Sequence, residues 1–193
     1  ESKYILIGDT KQFNQKDELT FYGYDISHAK VTDSKRIGQN LAGYLLELAV
    51  HNTEQIKDKS LKKWIGMENI NYNFSPTYEV NIIPPSQGFY CPENVLTRAL
   101  NTDSIKLMIN NYNISEKEGL GFVVIYEYFS KNRKSVTGYG CLFDIKTREI
   151  RLLLHKEHKD GNSYNRFTDF WYPSIELMKS FCLTINPTNK KNR

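Results

Sequence analysis

The chain has 193 residues, 39% hydrophobic and 25% charged, ordinary globular usage that excludes an intrinsically disordered chain and suits one compact domain. Its 26 basic and 22 acidic residues leave a formal charge of +4, but they are interspersed, so no single-sign field marks a dedicated nucleic-acid surface. No run approaches the roughly 20 apolar residues of a membrane helix, and three cysteines are too few for a disulfide scaffold.

Lys3 to Ile7 is a short apolar run closed by Gly8-Asp9, the pattern of a buried strand. Thr20 to Val31 alternates loosely and is rich in aromatic and β-branched residues, which predicts a second strand with Gly23 at a bulge or a close approach. Asp33 or Ser34 caps a predicted helix whose apolar stripe is Ile37, Leu41, Tyr44, Leu45 and Leu48; Leu61, Trp64 and Ile65 predict another helical turn. From Asn69 to Phe89 three prolines exclude regular central structure while allowing short edge strands, and leave a connector packed by Phe74, Tyr78 and Ile82, or a long functional loop.

Pro92 opens a predicted helix through Val95, Leu96 and Ala99, and Asp103 caps one carrying Ile105, Met108, Ile109 and Tyr112. Leu120 to Phe129 is apolar on both alternating faces and reads as a central strand. Tyr139 to Ile145 and Ile150 to His155 follow as an antiparallel meander, and a helix from about Phe170 to Ile185 closes the fold with Ile175, Met178, Phe181 and Cys182 on its stripe. These elements predict an α+β class: a mixed sheet with a C-terminal antiparallel meander and helices packed on it. The domain is placed at residues 1–185, with a flexible basic tail over 186–193. A chain beginning at Glu1 is either a cut piece or a mature form freed of an export signal.

The letters carry little overt chemistry. His155 and His158 sit three apart, which in a strand sends them to opposite faces; a solvated strand end is expected and no metal is assigned. Cys141 and Cys182 lie on apolar faces as core thiols, whereas Cys91 precedes Pro92 at a predicted helix start, where a dipole would favour a thiolate, so it is the reactive-thiol candidate. No nucleophile elbow, P-loop or dinucleotide fingerprint is present, no catalytic residue is assigned, and no cofactor is implied. Arg166 to Tyr172 is the densest aromatic and polar segment, read as a helix start capped by Thr168 or Asp169 and anchored by Trp171, with stacking on a sugar, peptide or base as the alternative.

Tyr22-Gly23-Tyr24-Asp25-Ile26-Ser27-His28-Ala29-Lys30-Val31 resembles the opening motif of a family of uncharacterised exported proteins of Bacteroidetes bacteria. Gly119 to Ile125 with Phe143 to Arg148 resembles that family's strand pair, and Phe170-Trp171-Tyr172-Pro173-Ser174-Ile175 its helix start. The chain departs from it at Gly161-Asn162-Ser163-Tyr164 and at Thr168-Asp169, where the family has a glycine-rich approach and an Arg-Asn pair. The resemblance implies a periplasmic or envelope location and no particular activity.

The expected role is a non-enzymatic envelope protein that binds a protein or glycan, with Asp25, Arg166, Asp169, Trp171 and Tyr172 as candidate binding residues. The alternatives are a hydrolase-type enzyme with a site assembled from distant residues and, more weakly, nucleic-acid binding through Lys131, Arg133 and Lys134.

Overall fold

A computed structural model describes residues 4–32, 41–56, 59–83, 88–92, 100–159, 167–186 and 188. In chain order the elements are β1 (Tyr4–Ile7), β2 (Glu18–Asp25), β3 (Lys30–Thr32), α1 (Leu41–Ile56), α2 (Lys59–Ile65), β4 (Asn69–Tyr72) and α3 (Ser75–Asn81). There follow α4 (Thr102–Asn111), β5 (Leu120–Ser130), β6 (Ser135–Asp144), β7 (Ile150–Lys159) and α5 (Trp171–Ile185).

The strands form one mixed sheet in the order β1-β7-β6-β5-β2-β4, with β3 also paired to β5, so the class is α+β. β5, β6 and β7 are the antiparallel meander, and β1 joins β7 antiparallel. The other half is parallel: β2 and β3 both run with β5, and β4 with β2. β5 is therefore flanked on both sides and buried almost throughout, which is why its letters are apolar on both faces.

Each face has its own core. Phe21, Tyr24, Phe122, Val124, Tyr126, Leu142 and Leu154 meet Leu45 and Leu48 of α1, Leu61 and Ile65 of α2, and Leu177, Met178 and Phe181 of α5. Gly140 makes the closest approach possible there, because a Cβ on it would fall 2.7 Å from the Phe181 ring. On the other face Tyr22, Val123, Ile125, Tyr139, Cys141, Phe143 and Leu153 pack under Ile105, Met108 and Ile109 of α4.

The predicted second strand is interrupted. Ala29 N–H donates to Ile26 O in a tight turn, and β3 resumes along β5 beyond it. Gly23 is both bulge and close approach: the β2–β5 register shifts between Phe21 and Tyr24, its φ is +86°, and a Cβ would lie 3.0 Å from Phe74. The 69–89 segment holds the short edge strand its prolines allow, and also an unexpected helix. Asn69–Tyr72 is an edge strand, and Pro76, in the first turn of α3, starts a helix because its missing N–H would have no partner there. Phe74 packs on the core, while Tyr78 and Ile82, expected as packing residues, are about half exposed at 52% and 51%.

α3 completes an unpaired sheet edge. β4 pairs β2 only as far as Phe21, and beyond it Thr77 Oγ1 donates to Tyr22 O at 2.5 Å. Asn81 then donates to Tyr24 O at 2.7 Å and accepts from Ile26 N–H at 2.8 Å. Four helical residues rise about 6 Å and two strand residues about 6.6 Å, so a Thr and an Asn four apart reach successive carbonyls of one strand edge.

Other boundaries shift. β1 is an edge strand with Ile5 49% exposed, not a buried one. α4 is capped by Asn101, whose side chain accepts from Ser104 N–H, and Asp103 sits in its first turn. α5 is preceded by a 3₁₀ turn at Phe167–Phe170, so its cap is Phe170 with no side-chain bond, in place of Thr168 or Asp169. Asn186, placed in the tail, donates to Trp64 O at 3.0 Å and accepts from Thr188 N–H at 2.8 Å. The expected cap at Asp33 or Ser34 and the helix after Pro92 lie outside the described residues. Among the described residues no helix is long and apolar enough to cross a membrane.

Candidate functional site

Strand register puts a polar row across the α4-covered face. Asp25 of β2 is opposite Ile125 of β5, Ile125 opposite Tyr139 of β6, and Tyr139 opposite His155 of β7. Directly opposed residues share a face, so three polar side chains cross a core that is otherwise apolar. A fourth arrives by an irregularity: the β5–β6 register passes from Tyr126↔Gly138 to Tyr128↔Thr137, which makes Glu127 the extra residue of a β-bulge. Bulges redirect a side chain, and this one turns a carboxylate in a central strand toward Tyr139 and His155.

The Glu127 residue is 1% exposed and its carboxylate is met by three donors. His155 Nε2 lies 2.8 Å from Oε2, while Tyr139 Oη and the Leu100 N–H each lie 3.3 Å from Oε1. Tyr139 Oη has one proton for both Glu127 Oε1 and Leu100 O, and Leu100 O is the nearer at 2.8 Å, which ties the residue leading into α4 to the sheet. The His155 ring leans on the Tyr139 ring with centroids 4.5 Å apart. A buried carboxylate needs such company, since an unpaired one costs several kcal/mol of lost solvation.

This arrangement fixes the imidazole. With its hydrogen on Nε2, His155 donates to Glu127 and presents Nδ1 as an acceptor; Nδ1 has no hydrogen-bond partner among the described residues. The His155 side chain is 18% exposed, and the next lateral pair, Thr137 and Glu157, is half-buried and exposed respectively. The row thus emerges from under α4 at His155.

At its other end Asp25, 1% exposed, accepts from Tyr112 Oη at 2.5 Å and from Ser27 N–H and Oγ at 2.8 and 2.6 Å. Ser27 Oγ is 2.9 Å from His28 Nδ1, so an exposed imidazole, a hydroxyl, a buried carboxylate and a buried phenol are linked in series. Burial, and then the adjacent Asp25 carboxylate, hold the Tyr112 hydroxyl well above its ordinary pKa.

The sequence-predicted residues do not form one site. Asp25 belongs to the row, but Trp171 lies on the other side of the sheet, packed on that core with its ring stacked on His51 at 4.0 Å. Tyr172 beside it is 60% exposed, Asp169 is half-buried, and Arg166 lies outside the described residues. Cys91 is half-buried, its Sγ 3.5 Å from Pro92 O and its N–H bonded to Val31 O. Cys141 and Cys182 are buried, and burial pushes both thiols well up.

β7 runs on to Lys159, so His155 and His158 face opposite sides, and the expected solvated end at His155 is instead the mouth of the row. Glu127, Tyr139 and Tyr112 are the residues the sequence reading missed. One signal was present: Glu127 is the single charge inside the apolar stretch of β5. A polar depression of about 500 Å³ also opens along the β4 edge between Lys16, Glu18, Lys62 and Glu68, but it contains no buried titratable group. Comparison with protein-family models, curated proteins and solved structures finds no match for this chain.

Proposed function

We propose that the chain is a binding domain of the periplasm or cell envelope, and that it meets its partner at the His155 end of the polar row. One observation carries the reading: a buried carboxylate, Glu127, locks an imidazole whose second nitrogen is unpartnered among the described residues and sits at the edge of solvent. A ring that carries its hydrogen on Nε2 accepts a hydrogen bond at Nδ1 from a hydroxyl or amide, the groups a glycan or peptide supplies. Support for the location comes from the three segments that resemble exported proteins. Glycan and peptide arrays probed with the wild type and with His155→Ala test the site: binding lost only in the variant, with its circular dichroism unchanged, is the expected result. Equal binding by both proteins would move the site elsewhere. Fractionation of cells that produce the protein tests the location.

A second reading has its own observation. An imidazole oriented by a carboxylate at 2.8 Å, with a tyrosine hydroxyl on the same carboxylate, is the arrangement of a general base. Chromogenic ester, phosphoester and glycoside substrates would separate the two readings. Turnover abolished in His155→Gln favours the enzyme, and no turnover alongside specific array binding favours the binding domain.

A further inference from the structure

Beneath α1 and α5, on the face away from the polar row, two tyrosines are stacked. Tyr24 and Tyr126 have ring centroids 5.4 Å apart with planes inclined by 4°. Asn52 of α1 reaches down to them, and its Nδ2 donates to Tyr126 Oη at 3.2 Å, while Tyr126 Oη lies 3.4 Å from Ser174 O of α5. Tyr24 Oη and Asn52 Oδ1, on the two residues that flank Tyr126, have no hydrogen-bond partner among the described residues. Tyr24 is 1% exposed and Asn52 fully buried, so bulk solvent reaches neither. Turning the Asn52 amide over exchanges the atom that is left unpaired without pairing it.

Buried polar groups in folded proteins are almost always satisfied, by protein or by ordered water. Here the unpaired groups are complementary and share Tyr126 as a neighbour: a hydroxyl with a proton to give and a carbonyl with lone pairs to fill. We propose that this is a binding site for one internal water molecule. The water accepts from Tyr24 Oη and donates to Asn52 Oδ1 and to the remaining lone pair of Tyr126 Oη. Those three bonds are the usual number for a buried water. The site joins the sheet to α1 through a molecule that the chain does not encode.

Water-deuteron relaxation dispersion counts long-lived internal waters. The count is expected to fall by one in the double variant Tyr24→Phe/Asn52→Leu, and an unchanged count in a folded variant overturns the proposal. Should the variant not fold, a high-resolution crystal structure of the wild type decides. Density bridging Tyr24 Oη and Asn52 Oδ1 supports the site, whereas a direct Tyr24–Asn52 hydrogen bond without such density ends it.

Discussion

The two faces of the sheet bury polar groups by different means. Under α1, α2 and α5 the buried polar groups include neutral hydroxyls and an amide, together with Lys156, which runs along the Phe181 ring and donates to Ser180 O and to Thr184 Oγ1 near the C-terminal end of α5. A cation there faces the negative end of the helix dipole. Under α4 the buried groups include two carboxylates, and their partners are His155 and Tyr139 of the sheet, Leu100, Tyr112 and Ser27. Helices thus supply the partners found on the first face, whereas on the second the neighbouring strands β6 and β7 share that task with Leu100, Ser27 and Tyr112. A row held at Glu127 by two neighbouring strands can leave its His155 end at the solvent edge and still remain ordered, as a site that meets a ligand requires.

That contrast can be broken experimentally. The largest effect is expected in alkali. Burial holds the Tyr24, Tyr112 and Tyr126 hydroxyls well above their ordinary pKa, with Asp25 adding to the shift of Tyr112. Below about pH 10 these groups are protonated in both states; above it the unfolded chain releases protons that the folded chain keeps, so stability falls by about 1.4 kcal/mol per pH unit per hydroxyl. Urea titrations between neutral and strongly alkaline pH should show that slope. Tyr112→Phe should remove one hydroxyl's share from the α4 face, and Tyr126→Phe one from the other.

Next comes Phe181→Ala, which empties the space above Gly140 and should cost about 3–5 kcal/mol, read from the denaturant midpoint at constant slope. Glu127→Leu leaves the Leu100 N–H and His155 without their acceptor, while Tyr139 keeps Leu100 O, and should cost about 1–3 kcal/mol. An effect confined to the noise would mean that the row is held by packing alone. The smallest effect is expected from Asn101→Ala, which removes the cap of α4 for about 1 kcal/mol. Hydrogen exchange should localise that loss to the first turn of α4, above the carboxylate of Glu127.

Much of the fold was legible. A strand apolar on both faces must be central, and a helix with a 3.6-residue stripe must cover a sheet, so β5, the meander and α5 follow from their letters. α3 was hidden because Pro76 reads as a breaker until it is known to occupy a helix's first turn. The site was less legible for a reason of geometry. Asp25, Tyr139 and His155 are joined by strand register, and Glu127 reaches them only through a bulge, neither of which any local spacing records. The aromatic segment ending at Tyr172 drew attention by density, and the largest ring in its described part, Trp171, packs on a core.

The pairing of β1 with β7 sets the order of assembly. Tyr4 and His155 are register partners roughly 150 residues apart, so β1 cannot dock until β7 has been made. The β5–β6 and β6–β7 hairpins close over short turns and are entropically cheap, while docking β1 requires closing a loop of about 150 residues. Until it docks, β7 is a bare edge with His155 upon it, open to pairing with another chain. A nascent or partly unfolded molecule is therefore most prone to aggregate along the strand that carries the proposed binding residue.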